Sequence, residues 1–315
     1  MSLRQLALQL LLAAAALVAI NAAVTLMART SVPRQLLRHG EQSDPATDLF
    51  LGNSTMAAAL DERVFAVVKP GRPLNLALGA TGPVEHCLIW RLQSKHRVAD
   101  VYYGFFDSQL TDPLHGTWET LVGNRAMAYY VDPDTAIDYY ARESPFKALG
   151  MRLTANVPVM VERLAIWSKV EKLRRAIGEI GMPKRDVNRF GRADDFTLLE
   201  ADSKEFARRC ERAVAERQPL SPPIAEIIDT TRVNGARIRV VEMPMPAEHR
   251  RRLNSSHEWR SYRNHVIELI HNAGGDYVDA SNWIDDVGFA DNVHLNAAGA
   301  AQFSTRLGKW ASQNR

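Results

Sequence analysis

From Leu6 to Met27 the chain carries no charge, and only Gln9, Asn21 and Thr25 interrupt a run rich in Ala and Leu. A run this long admits few fates. About 20 such residues make a helix that crosses the hydrocarbon core of a bilayer. A cleavable signal peptide has a shorter apolar region, about 7–15 residues, before a small-residue cleavage site. A helix packed along protein would show a recurring polar face, and none recurs here. Residues 1–27 are therefore read as an uncleaved signal anchor. Arg4 precedes it, and Arg29, Arg34 and Arg38 follow it. Local charge counting thus does not favour export of the remainder.

Residues 28–47, with Pro33, Gly40 and Pro45, read as a polar linker. Short apolar runs then begin, at 48–52, 74–79, 98–106, 237–244 and 276–280. Helical patterns lie between several of them. Such alternation predicts an α/β fold: a mainly parallel sheet with helices on both faces. Sites in these sheets lie beyond the carboxyl ends of the strands. Residues 113–233 break the alternation. There Val157, Met160, Leu164, Trp167, Val170 and Leu173 recur at helical spacing within 157–181, and 202–219 forms a second amphipathic pattern. The block reads as a helical insertion in a domain of residues 48–315, its aromatic stripe serving packing.

The 39 Lys and Arg against 36 Asp and Glu give a net charge of +3. No basic stripe interleaves with aromatics, so nucleic acid is not the expected partner. Cys87 and Cys210 belong to no metal pattern and are expected to be free, buried thiols. The histidines at 249, 257, 265 and 271 show no ligand spacing. "GATG" at 79–82 lacks the Lys and Ser/Thr of a phosphate loop. Neither metal nor organic cofactor is expected.

The stretch "DLFLGNSTMAAALD" (48–61) puts Ser54 where a strand turns into a helix. Serine there is either the helix cap or a nucleophile at the positive end of a helix dipole. The G-x-S-x-G elbow is absent, because Met56 takes its last position. A nucleophilic serine needs a base and an orienter. Near the end of the chain, Asp291 and His294 stand three apart in "ADNVHLNAAGAAQFS", ahead of a helix that Asn296 is placed to cap.

Taken together, these blocks resemble the SGNH/GDSL hydrolase superfamily. Gly52-Asn53-Ser54 resembles its first block. "NLALGATG" (75–82) resembles the second, whose glycine, here Gly79, lends a backbone N–H to the oxyanion hole. Asp291-Asn292-Val293-His294 resembles the last. The resemblance covers about 48–112 and 235–312. It implies a three-layer α/β/α sandwich of SGNH/flavodoxin-like type, with Ser54 as nucleophile, His294 as base and Asp291 as its orienter. It departs in two places. Asn53 replaces the usual aspartate of the first block. In the third block, Gly-x-Asn-Asp, the nearest match is "GFFD" at 104–107, so Phe106 stands where an asparagine side chain is expected to donate. Asp107 and Gln109 fall near the same place.

With its N-terminal membrane helix and weak third block, the chain is similar to membrane-anchored bacterial envelope members of the superfamily. Those include proteins of alginate-type polysaccharide O-acetylation and of D-alanyl transfer to teichoic acids. The similarity implies a single-pass protein of the cytoplasmic membrane with its globular domain outside. Two activities follow from it as expectations. One is a serine esterase or O-acyltransferase acting on an acylated envelope glycan, with Asn53, Gly79 and Asp107 at the oxyanion and substrate site. The other is a non-catalytic partner of a glycan or of a membrane acyltransferase.

Overall fold

The computed structural model describes residues 2–43, 45–112, 131–142, 144–155, 157–162, 166, 169, 170, 174 and 197–314. The chain divides into two compact units. One holds Met1–Arg38 with Thr117–Arg185, the other His39–Gly116 with Asp186–Arg315.

The first unit is helical. Helix α1 (Leu3–Ala28) has 26 residues, a length of about 39 Å at 1.5 Å per residue. Ser2 caps it in a reciprocal box with Gln5. Among its residues only Val24 and Ala28 are buried. It is long and apolar enough to cross a membrane. Its polar interruptions are used internally. Asn21 Nδ2 donates to Leu17 O at 2.9 Å, and Asn21 Oδ1 accepts from Val159 N at 3.0 Å. Thr25 donates back to Asn21 O. The expected linker is corrected in part: Val32–Gln42 forms helix α2. Pro33 sits in its first turn, where no intrahelical bond needs its missing N–H. Arg34 pairs with the buried carboxylate of Glu162 at 2.7 Å. Helices α3 (Ser54–Ala59), α4 (Glu62–Val68) and α5 (Pro83–Gln93) belong to the second unit. The first unit resumes with α6 (Pro133–Tyr140) and α7 (Pro145–Ala155). Helix α7 buries Met151 and exposes Phe146, Leu149 and Leu153 along one stripe. Of the helix expected over 157–181, the turn Pro158–Val161 is present, and most of the rest lies outside the described residues.

The second unit carries five parallel strands in the order β2-β1-β3-β4-β5. They are β1 (Asp48–Gly52), β2 (Pro73–Asn75), β3 (Asp100–Phe105), β4 (Arg237–Glu242) and β5 (Asp276–Asp279). Each overlaps an expected apolar run, β2 only at Leu74 and Asn75. Helices α3 (Ser54–Ala59), α4 (Glu62–Val68) and α5 (Pro83–Gln93) alternate with the first three strands. The block expected as one insertion divides. Helices α8 (Thr197–Ala215) and α9 (Pro222–Val233) belong to the α/β unit. Helix α9 leads into β4 and packs on α5, where Arg91 Nη2 donates to Glu226 Oε2 at 2.8 Å. Helices α10 (His257–Asn272) and α11 (Ala297–Gln313) complete the unit.

Side chains alternate across the sheet. Phe50 and Tyr102, partners in register, stack at 4.6 Å, and Phe65 of α4 meets Phe50 edge-on at 5.0 Å. Phe303 and Leu307 of α11 join this cluster. The intervening residues face the other way. There Tyr103 meets His86 of α5, and Phe105 lies 6.4 Å from Trp259 of α10. At the amino edge, Asp48 of β1 pairs in register with Asp100 of β3. The second carboxylate accepts from Lys69 at 2.8 Å, from Arg237 at 2.8 Å and from the fully buried Arg239. Charge therefore closes the amino edge, and chemistry is left to the carboxyl edge.

Candidate active site

The chain reverses its order of strand addition at β1. Strand β2 lies on one side of it, β3 and the rest on the other. The carboxyl ends of β1 and β3 flank this switch point, where ligands of open α/β sheets bind. Gly52 and Gly104 are register partners at these ends. Gly52 has φ 145°, and a Cβ there would stand 2.9 Å from Gly104 O. Both the backbone angle and the close approach require glycine.

Asn53 then caps α3. Its Oδ1 accepts from Thr55 N at 3.0 Å and from Thr55 Oγ1 at 2.8 Å. Ser54 is thus the first residue of the helix rather than its cap, and the capping reading of Ser54 is replaced. Its hydroxyl is spared the role that Asn53 takes.

The second block arrives beside it. Strand β2 ends at Asn75, earlier than expected, yet the chain stays on β1: Leu76 N donates to Phe50 O at 2.9 Å and Leu78 N to Gly52 O at 3.0 Å. The next residue is Gly79. A Cβ on Gly79 would lie 3.3 Å from Ser54 Cβ, so only a bare backbone fits there without displacement. Ala80 follows with φ 55°, the left-handed region.

Asp291 and His294 form the second half. A tight loop carries them: Phe289 and Leu295 bridge antiparallel, and Ala290 N donates to His294 O at 2.8 Å. His294 Nδ1 lies 2.8 Å from Asp291 Oδ2. Asp291 Oδ1 accepts from Val293 N at 2.9 Å and His294 N at 2.7 Å. Burial alone would raise the Asp291 carboxyl. The His294 hydrogen bond and the two backbone N–H groups outweigh it and hold the pKa below the ordinary range. The carboxylate therefore stays charged and holds the ring through Nδ1. Asn296 caps α11, accepting from Gly299 N at 3.0 Å. Gly299 packs on Gly288, whose Cα would be 3.1 Å from a Cβ there. That contact accounts for the glycine in "LNAAGA". Leu295 and Met56 share one apolar cluster, so the two halves of the site rest on common packing.

The remaining expected residues have structural employment. Asp107 is buried and caps the 3-10 turn Ser108–Leu110, accepting from Gln109 N at 3.0 Å. Gln109 is committed on every side. Its Oε1 accepts from Asn53 Nδ2 at 3.2 Å, and its Nε2 donates to Tyr103 Oη at 3.0 Å and Gly104 O at 3.3 Å. Phe106 packs against the apolar cluster and lies edge-on to His249 at 6.5 Å. In the sequence His249 is one of several scattered histidines. It is buried, bonded through Nδ1 to Asn254 Oδ1 at 2.9 Å, and burial pushes its pKa down to about 4. Asn254 Nδ2 is buried with no hydrogen-bond partner among the described residues. No sequence spacing announces this pair.

A buried polar chain also escaped the sequence. Thr81 Oγ1 donates to Leu78 O, so it accepts from His86 Nε2 at 2.9 Å. His86 Nδ1 then accepts from Tyr103 O–H at 2.9 Å, and Tyr103 accepts from Gln109. With His86 neutral and protonated at Nε2, every member has a partner. The chain runs from the cap of α3 to the loop of Gly79.

No known protein-family model matches the chain, and no curated protein sequence matches it. The site therefore stands on its own geometry. Cys87 and Cys210 are buried and form no disulfide, and burial pushes both thiols up to about 12.

Proposed function

We propose that the chain is a membrane-anchored serine esterase or O-acyltransferase that acts on an acylated cell-envelope glycan. The observation that carries this reading is the Asp291–His294 pair: a buried carboxylate, charged by three hydrogen bonds, that orients the imidazole through Nδ1. Ser54, freed from capping and set against Gly79, is the matching nucleophile.

In this mechanism Ser54 Oγ attacks the acyl carbonyl while His294 Nε2 takes its proton. The backbone N–H groups of Ser54 and Gly79 hold the oxyanion. His294 returns the proton to the departing alcohol, leaving an acyl-Ser54. Water then gives an esterase, and a sugar hydroxyl gives a transferase. The reading includes an SGNH/flavodoxin-like three-layer sandwich, which the strand order and the helices on both sides of Tyr102 and Tyr103 support. It places α1 in the cytoplasmic membrane of a bacterium with the α/β unit outside. The exposed α1 and the stripe of Phe146, Leu149 and Leu153 support a lipid environment.

Phe106 favours a second reading, a non-catalytic SGNH-fold partner of a glycan or of a membrane acyltransferase, because it supplies no donor where the resemblance expects one. A fluorophosphonate probe separates the two. With the full chain in detergent, catalysis predicts an intact-mass adduct that Ser54→Ala abolishes. A folded, unlabelled protein favours the partner reading.

A further inference from the structure

We propose that a cavity just past the end of β3 binds the acid group of an anionic sugar, a carboxylate or a phosphate. Its assignment to the glycan rests on the reading above. The cavity measures about 260 Å³ and is lined by Ser108, Thr111, Asp112, Arg209, Arg212 and Gln218. Pockets for drug-sized ligands begin near ~300 Å³, so this one suits a single ring-sized unit.

Three features select the ligand chemistry. The lining holds two guanidinium groups and one carboxylate, and Glu205 beside it offsets Arg209, which leaves Arg212 as the cation for a ligand. Arg209 Nε donates to Glu205 at 3.0 Å. Arg212 is exposed, and its side chain makes no hydrogen bond or ion pair among the described residues. Its planar fork matches a carboxylate or phosphate edge. Ser108 supplies the independent observation. It is 1% exposed, and its Oγ is buried with no hydrogen-bond partner among the described residues. A buried hydroxyl left that way carries a desolvation cost that a ligand oxygen relieves. Finally, Thr111 and Gln218 make the rest of the lining polar, which suits a sugar ring better than an apolar ligand.

The cavity is also tied to the candidate nucleophile. Ser108 and Gln109 share one 3-10 turn, and Gln109 holds the Asn53 cap that sets Ser54. A glycan unit anchored by its acid group at Ser108 and Arg212 would have a neighbouring acyl ester directed along the carboxyl edge of the sheet.

The test is titration of the full chain in detergent micelles with D-glucuronate, glucose 6-phosphate and D-glucose, followed by saturation-transfer NMR. At least one acid should bind about tenfold or more tighter than glucose, and the better acid identifies the group. Arg212→Gln should lose about tenfold, as expected for one charge-assisted hydrogen bond, and Arg212→Lys should recover part of it. Far-UV circular dichroism checks that these exposed substitutions fold. Glucose binding as tightly as both acids, no saturable binding of either acid, or unchanged affinity in Arg212→Gln overturns the proposal. Ser54 labelling is read separately. A reactive Ser54 without acid binding removes the cavity assignment alone. Acid binding with an unreactive Ser54 removes the catalytic reading and leaves the cavity.

Discussion

Gly79 abuts Ser54: a Cβ added to Gly79 would stand 3.3 Å from Ser54 Cβ. That spacing is closer than side chains ordinarily tolerate, so Gly79→Ala must push the second block and the start of α3 apart by a few tenths of an ångström. The backbone of Gly79 is outside the left-handed region, so the substitution brings steric pressure without backbone strain. We expect Gly79→Ala to fold and to react with the fluorophosphonate probe at least tenfold more slowly. Misplacing one oxyanion donor is the cause, and its complete loss costs about 10²–10³ in rate. An unchanged labelling rate would remove Gly79 from the site.

Asp291→Asn tests the orienter. The amide accepts from His294 Nδ1 poorly and can present its own N–H there, which favours the wrong imidazole tautomer. A fall of roughly 10³–10⁴ in Ser54 reactivity is expected, as for the orienting aspartate of other Ser-His-Asp sites. The stability change should be much smaller than the rate change. A variant that loses stability while keeping its reactivity would make Asp291 a loop brace only.

All five strands could be read from the sequence, because each is a short apolar run bounded by polar residues. So could the Asp291–His294 pair, because its partners are three residues apart and close locally. What sequence did not reveal depends on long-range contacts. The hydroxyl of Ser54 and the amide of Asn53 compete for one cap, and the winner is decided by Gln109, 56 positions away. Gln109 lies near the missing third-block donor in sequence, but both of its amide protons are taken. Helix α2 was hidden because Pro33 and Gly40 read as breakers, yet Pro33 falls in the first turn, where it is tolerated. The block at 113–233 looked like one insertion because α9, the helix leading into β4, follows no strand signal of its own.

The buried chain from Asn53 to Thr81 makes a further prediction at Tyr103. Tyr103→Phe deletes the hydroxyl that accepts from Gln109 and donates to His86. Two buried groups then lose partners, at about 1–3 kcal/mol each. The midpoint of thermal unfolding in detergent should fall. Because the chain ends on the loop of Gly79, Ser54 labelling of the folded variant should slow as well. Destabilisation with an unaltered labelling rate would mean that the chain braces the sheet without setting the site.

Acid stability depends on Asp100. Burial would raise its carboxyl, but Lys69 and Arg239 outweigh burial and hold the pKa below its ordinary value. A carboxyl with a depressed folded pKa contributes stability that is full above the unfolded value, about 3.9. That stability is lost as pH falls through the lower folded value. Asp291 is depressed too and acts in the same window. Glu242 acts in the opposite sense. Burial raises its carboxyl despite Arg263 and Tyr277, so it subtracts stability as pH climbs from the unfolded glutamate value through the raised one. Asp100→Asn leaves Arg239 and Lys69 without their shared carboxylate, and removing one partner of a buried pair costs about 3–5 kcal/mol. Denaturant unfolding at pH 7 should show that loss. Between about pH 4 and pH 2 the variant's stability should decline less steeply than the parent's, since the linked proton is gone. Parallel slopes in that window would mean that Asp100 titrates alike in the folded and unfolded chain, and the charged amino edge would then not be the acid-sensitive part of the sheet.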